Sequence, residues 1–163
     1  MDVLAEDLIR FWHVLNEHSV NYIMVGGLAT RFHGYNRATD DLDIWIEDTL
    51  VNRQQLRKSF DALGYGDFES IETMQFVPGW TSFYAAGVEL DIMTEIKGIE
   101  PGSFQICRQM ASVAVLEGVE VPFLHINHLI ANKKAVNRPK DQLDILQLEK
   151  IKKLREKGAN PKG

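Results

Sequence analysis

Apolar residues recur at Val3, Leu4, Leu8, Phe11, Trp12 and Leu15, the three-and-four spacing of a single helix face. The next apolar run, NYIMVGG, is too short for a helix and stops at Gly26-Gly27, which predicts a strand. LATRFHGY predicts a short helix ending at Gly34, NRATD a polar loop, and the alternating, β-branched DLDIWI a second strand. VNRQQLRKSFDALGYG is an amphipathic helix with a glycine stop. TSFYAAGVELDIMTEI predicts two strands around a turn near Gly87, and after the loop KGIEPG the segment SFQICRQMA predicts a short helix. SVAVLEGVEVPFLH predicts a hairpin turning at Glu117-Gly118. INHLIANKKAV and KDQLDILQLEKIKKLREK predict two helices separated at Asn137-Arg138-Pro139, with proline suited to the first turn of the second. GANPKG predicts a frayed tail.

This order predicts an α/β (α+β) fold with no internal repeat and no low-complexity linker. Residues 1–163 read as a single domain, with a core over about 20–126 and a helical C-terminal part over about 127–158. Composition agrees: 45% of residues are apolar and 25% charged, as in an ordinary globular domain. A net charge of −5 argues against wholesale coating of nucleic acid and leaves room for a local basic patch, for which NKKAVNRPK and KIKKLREK are the candidates. Cys107 is the single cysteine, which excludes an intrachain disulfide or a cysteine-based zinc site, and it reads as a buried apolar residue. Acids in MDVLAEDLIRFW stand where a signal peptide is basic, and no apolar run reaches membrane-spanning length, so a cytoplasmic protein with no membrane partner is expected.

Chemistry enters with the second strand. Residues two apart on a strand share a face, so Asp41 and Asp43 lie side by side while Leu42 and Ile44 point the other way. Two carboxylates that close repel, and desolvation adds to the penalty, which a divalent cation would relieve. Mg²⁺ favours a few carboxylates together with water and phosphate oxygens. A third acid, Asp91 in VELDIMT, can join them if its strand lies alongside, with Glu89 on the same face as a helper or an exposed strand end. The alternative for Asp41 and Asp43 is a solvated strand edge. Gly26-Gly27 end a strand and open a helix, a geometry that either makes a tight turn or brings backbone N–H groups to a phosphate. The histidines form no metal motif. Trp12, Trp45 and Trp80 read as core residues, with Trp80 in VPGWTSFY the one placed to stack on a base instead.

Val25-Gly26-Gly27, Asp41-Leu42-Asp43 and Leu90-Asp91-Ile92, in that order, resemble the signature of the nucleotidyltransferase superfamily that shares its core with DNA polymerase β. Arg37, Thr39, Asp41 and Asp43 match the Arg-x-Thr-x-Asp-x-Asp of its AbiEii-type toxin branch, and Lys133, Arg138, Pro139, Lys140, Asp141 and Asp144 resemble that branch's C-terminal stretch. The likeness covers roughly residues 20 to 150. It departs at Gly27, where a serine hydroxyl is often found, and the chain is shorter than AbiEii-type toxins usually are. The resemblance implies a mixed central sheet flanked by helices, and transfer of a nucleoside monophosphate from an NTP to an acceptor hydroxyl with release of pyrophosphate. It implies Asp41, Asp43 and Asp91 as catalytic and metal-binding residues for two Mg²⁺ ions, with Mn²⁺ as a substitute. It implies nucleotide contacts from Gly26, Gly27, Arg37, Thr39 and Lys133. Arg37 could equally form a loop salt bridge with Asp40 or Asp41, Thr39 could cap the turn, Lys133 could be an exposed helix lysine, and Asp144 could pair with Lys140. The acceptor could be a tRNA, a protein or a small molecule, and a toxin or antitoxin protein partner is a further expectation. The competing readings are an antitoxin-like protein or a nucleotide sensor that uses the same fold without turnover.

Overall fold

The strand Tyr22–Val25 (β1) is buried at all four positions, as a central strand must be, and the rest of the sheet is assembled around it. The computed structural model describes residues 1–159, and the far end of the expected frayed tail lies outside them. On one side β1 pairs antiparallel with Asp41–Ile46 (β2), and β2 pairs parallel with Val88–Met93 (β4), which carries the edge strand Ser82–Ala85 (β3). On the other side β1 runs parallel to Val119–Phe123 (β6), which closes a hairpin with Ser112–Leu116 (β5). The order is β3-β4-β2-β1-β6-β5, a six-stranded mixed sheet.

The two faces differ in sequence. Tyr22, Met24, Leu42, Ile44, Ile46, Leu90 and Ile92 point to one face, all buried. Helix Glu6–Glu17 (α1) lays Leu8, Phe11, Trp12 and Leu15 on it, with Trp12 stacked on Tyr22 at 5.6 Å. Helix Leu50–Ala62 (α3) adds Leu56 and Phe60, the latter edge-on to Phe83 of β3. Asp41, Asp43 and Trp45, with Glu89, Asp91 and Met93, occupy the other face. Helix Phe104–Met110 (α4) covers its lower part, where Phe104 packs edge-on against Trp45. Helix Gly26–Phe32 (α2) follows β1 directly and packs on β1, β2 and helix Ile126–Val136 (α5), which in turn packs on the long helix Pro139–Ala159 (α6). The break between α5 and α6 is the left-handed Asn137, with Pro139 opening α6 as predicted. The pattern of elements is as expected, apart from a 3₁₀ turn at Glu69–Glu72 that the charges of GDFESIE concealed. Trp12 and Trp45 are core residues, whereas Trp80, the exception singled out among the three, is 86% exposed. Among the described residues no helix is long and apolar enough to cross a membrane.

One buried amide ties α3 to the sheet. Asn52 accepts from the Asn21 N–H (2.7 Å) and donates to the carbonyls of Asn21 (3.0 Å) and Glu47 (2.8 Å), joining the start of β1 to the end of β2. Removing it strands the Asn21 N–H, a loss of about 1–3 kcal/mol for a group left unpaired in the interior, and takes one of two donors from each carbonyl, since the Asn21 carbonyl keeps the Glu47 N–H (3.2 Å) and the Glu47 carbonyl keeps the Thr49 N–H (3.1 Å). Asn52→Leu is therefore expected to lower unfolding stability by roughly 2 kcal/mol. An unchanged midpoint in urea denaturation would contradict this.

Candidate active site

The site forms where β1 ends and β2 and β4 begin. Register places Val25 opposite Asp43 and Asp43 opposite Asp91, so two carboxylates face each other across parallel strands spaced about 4.8 Å apart. Asp41 lies two residues before Asp43 on the same face, level with Glu89. The adjacency that the sequence left conditional, β4 beside β2, is present.

Electrostatics at this point is unfavourable for the chain alone. Asp43 is half-buried, and its carboxyl is pushed up to about 7, first by burial, then by Asp91 and by Asp41; Arg138 and Lys133 oppose the shift. Asp91 is likewise raised, first by burial, while a hydrogen bond from the Gly79 N–H to Asp91 Oδ1 (3.3 Å) holds the shift back. The donors are hard carboxylate oxygens, a set that suits Mg²⁺ or Mn²⁺ and not a thiophilic ion. Among the described residues no three acidic, imidazole or thiol groups already close on one point, and the bond to Gly79 draws one Asp91 oxygen toward the loop.

The glycines are explained by their immediate neighbours. Gly26 has φ +71°, and a Cβ there would run into the Asp43 carboxylate. A Cβ on Gly27 would lie 2.8 Å from Thr39 Oγ1 and 2.9 Å from Arg37 Nη2. The turn thus lets β1 pass under Asp43 and brings Arg37 and Thr39 down onto backbone.

Behind this turn lies a buried ionic network that sequence reading placed only in part. Asp144, 1% exposed, has Oδ1 3.0 Å from Arg37 Nε and Oδ2 2.7 Å from Lys133 Nζ. The Arg37 Nε is buried and makes this ion pair without an aligned hydrogen bond. Asp141, fully buried, accepts from the Arg138 N–H (2.9 Å) and side chain (2.8 and 3.0 Å) and lies 3.8 Å from Lys133 Nζ. Burial alone would raise the Asp141 carboxyl, but the Arg138 hydrogen bonds and the nearby cations hold it low. Three of the alternatives left open by the sequence are replaced accordingly. Lys133 is a buried strut and not an exposed helix lysine; Asp144 pairs with Lys133 and Arg37 and not with Lys140; and Arg37 bridges to Asp144 and not to Asp40 or Asp41. The acids were visible as an i, i+3 pair in KDQLD, but that spacing is equally common on solvated helices.

A mixed sheet that sets a glycine turn against an Asp-x-Asp strand, with a third aspartate on the parallel neighbour, defines a nucleotidyltransferase-class protein. The chain belongs to the family described as nucleotidyl transferase of unknown function (DUF2204), which it matches over residues 4–160. Its fold is shared with a candidate nucleotidyltransferase from Thermotoga maritima (17% identity, TM-score 0.54, 91% of this chain and 88% of that one). It is shared too with ANT(2″)-Ia in complex with adenylyl-2″-tobramycin (17% identity, TM-score 0.54, 94% and 95%). A nucleotidyltransferase-like antigen of Paracoccidioides brasiliensis is a third neighbour (17% identity, TM-score 0.51, 89% and 77%). No curated protein sequence matches the chain.

The Asp43 shift has a definite sign. A carboxyl raised in the folded state stabilises the fold fully below its unfolded value of 3.8, and this contribution is lost as pH rises toward 7. Asp43→Asn is therefore expected to stabilise the ion-free protein at pH 8 by about 2 kcal/mol, discounted for partial exposure, and to do nothing at pH 4. Thermal melts at the two pH values in chelator check this. Lys133→Ala, which leaves Asp144 with Arg37 alone, is expected to destabilise by about 3 kcal/mol; a melt within a degree of wild type would count against the network.

Proposed function

We propose that the protein transfers a nucleoside monophosphate from an NTP to an acceptor hydroxyl, with release of pyrophosphate. The observation that carries this reading is the Asp43–Asp91 juxtaposition beside a glycine turn capped by Arg37, where burial first, and neighbouring acids after it, raise both carboxyls. Asp41, Asp43 and Asp91 are the residues that would hold two Mg²⁺ ions, with Mn²⁺ as a substitute. Cations bound there supply neutralisation of the charge that develops on the attacking and leaving oxygens. The chain's own groups do the rest. Backbone at Gly26 and Gly27, with Arg37 and Thr39 above it, receives the triphosphate. Lys133 acts on it indirectly: it fixes Asp144, and Asp144 fixes Arg37. Asp91 takes the proton from the acceptor hydroxyl, whose oxygen bonds to the α-phosphorus as the bond to pyrophosphate breaks. Positioning and charge provide most of the rate in such a transfer.

The acceptor reading favours a small molecule. The neighbour ANT(2″)-Ia carries an adenylylated aminoglycoside at nearly the same chain coverage, and net charge −5 disfavours a large polyanion. An NTP-dependent reaction of this kind fits a cytoplasmic protein. The narrower AbiEii-type reading, a growth-arresting toxin with a cognate antitoxin, rests on Arg37-x-Thr39-x-Asp41-x-Asp43 and the Lys133–Asp144 stretch.

Calorimetric titration of ATP, CTP, GTP and UTP against wild type and Asp41→Ala/Asp43→Ala tests the proposal. Expected is binding that requires Mg²⁺, tightens as pH rises through about 7 while Asp43 loses its proton, and vanishes in the double variant. Metal-independent binding that survives in the variant would leave a nucleotide sensor. Growth arrest on expression of wild type and not of the variant would support the toxin reading.

A further inference from the structure

Strand β5 is an edge of the sheet, and the bonding of its neighbours fixes which of its backbone groups are spare. The Leu124 N–H donates to the Met24 carbonyl (2.9 Å) beside the Met24–Phe123 pair. Residues 122 and 124 therefore turn their backbone groups toward β1, and Val119, Val121 and Phe123 turn theirs toward β5. Their partners Leu116, Ala114 and Ser112 take up those bonds, so Val113 and Val115 point N–H and C=O away from the sheet. The hairpin agrees in phase: Glu117 and Gly118, both at positive φ, form a two-residue turn that closes on the bonded pair Leu116–Val119. Among the described residues no other backbone or side-chain group bonds to Val113 or Val115.

Edge strands are ordinarily blunted by a charge, a proline, a bulge or a covering element. SVAVL has no charge and no proline, and its pairing with β6 runs without a bulge. The Val113 and Val115 side chains share one face and are 49% and 65% exposed. Ile106 and Met110, one turn apart on the helix α4 that leads into β5, are exposed as well. Spare N–H and C=O groups in a row are answered by an extended strand, and an apolar, uncharged row by a strand of its own kind. A second copy of β5 supplies this. Paired antiparallel about a two-fold axis at Ala114, each Val113 meets the other copy's Val115, and each such pair exchanges both of its backbone bonds. Charge favours the same sense. Arg108 precedes the strand and Glu117 follows it, and neither makes an ion pair among the described residues. Antiparallel pairing brings the start of one strand to the end of the other, so the Arg108 end of each copy approaches the Glu117 end of its mate, whereas parallel pairing would set like charges together.

We propose that β5 is a self-association surface, and that it pairs with β5 of a second copy of this chain to join two six-stranded sheets into one. The carboxylates lie on β2 and β4, beyond β1 and β6 from this edge, so both clefts stay clear of the interface. Sedimentation equilibrium of the full chain over a range of concentrations is expected to show monomer and dimer in exchange. Val115→Pro removes an N–H that the fold itself leaves free, and it is expected to keep the wild-type circular dichroism while weakening the dimer roughly tenfold. Val115→Lys, a residue that edges tolerate, is expected to do the same and guards against a folding defect from proline. Glu117→Arg, which sets cation against cation, weakens the dimer as well. Ala114→Cys places two thiols across the axis with Cα atoms about 4.5 Å apart, within disulfide reach. With oxidised glutathione it is expected to give a covalent dimer, while Ser112→Cys, which faces Leu116 of the other copy, does not; Cys107 is buried and takes no part. A chain that is monomeric at every concentration, a dimer that both Val115 variants leave intact, or cross-linking of Ser112→Cys as readily as of Ala114→Cys would overturn the proposal.

Discussion

The parallel pairing of β2 with β4 is the constraint on which the rest depends, because it sets Asp43 opposite Asp91. Two half-buried carboxylates one strand apart repel each other, so the surrounding structure has to hold them there. It does so by making both strands interior to the sheet and packing their opposite face with Leu42, Ile44, Leu90 and Ile92, all fully buried. The strain of the site is thus supported by hydrophobic burial directly behind it. The same two strands that set the aspartates on one face anchor the sheet with the other, and a slip of one residue in either strand would exchange the two sets.

The C-terminal helices are bound to this site by charge as well as by packing. Asp144 on α6 reaches Arg37, which precedes β2, and Lys133 on α5. Taking five charged groups wholly or partly out of water is expensive unless each finds a partner. Here three cations share two carboxylates, leaving a surplus of positive charge on the glycine side, where an anion can complete the balance. The helices that the sequence presents as an appended part are in this sense a wall of the cleft.

Much of this was legible beforehand because it is periodic or ordered. Alternation in DLDIWI put Asp41 and Asp43 on one face, the run VELDIM supplied a third acid, and glycine and proline marked the ends of α2 and α5. The adjacency of β2 and β4 was not legible, since strand order depends on which hydrophobic faces meet and no local pattern records that. Nor was the burial of Lys133 and Asp144: a lysine on a polar helix and an acid near its start look the same whether they face water or each other. Trp80 could be singled out as the exception among the tryptophans from its setting in VPGWTSFY, and a turn in which its N–H donates to the Val77 carbonyl holds it outward.

The separation of cations by β1 from acids by β4 makes the cleft a fixed dipole of side chains. A molecule with a polyanionic tail and a neutral head enters such a field in one sense only, tail toward the glycines. That alignment acts on the tail and is blind to the base at the head. Recognition of one nucleotide over another therefore has to come from groups outside this dipole, and the catalytic face could be shared unchanged by relatives that use different bases.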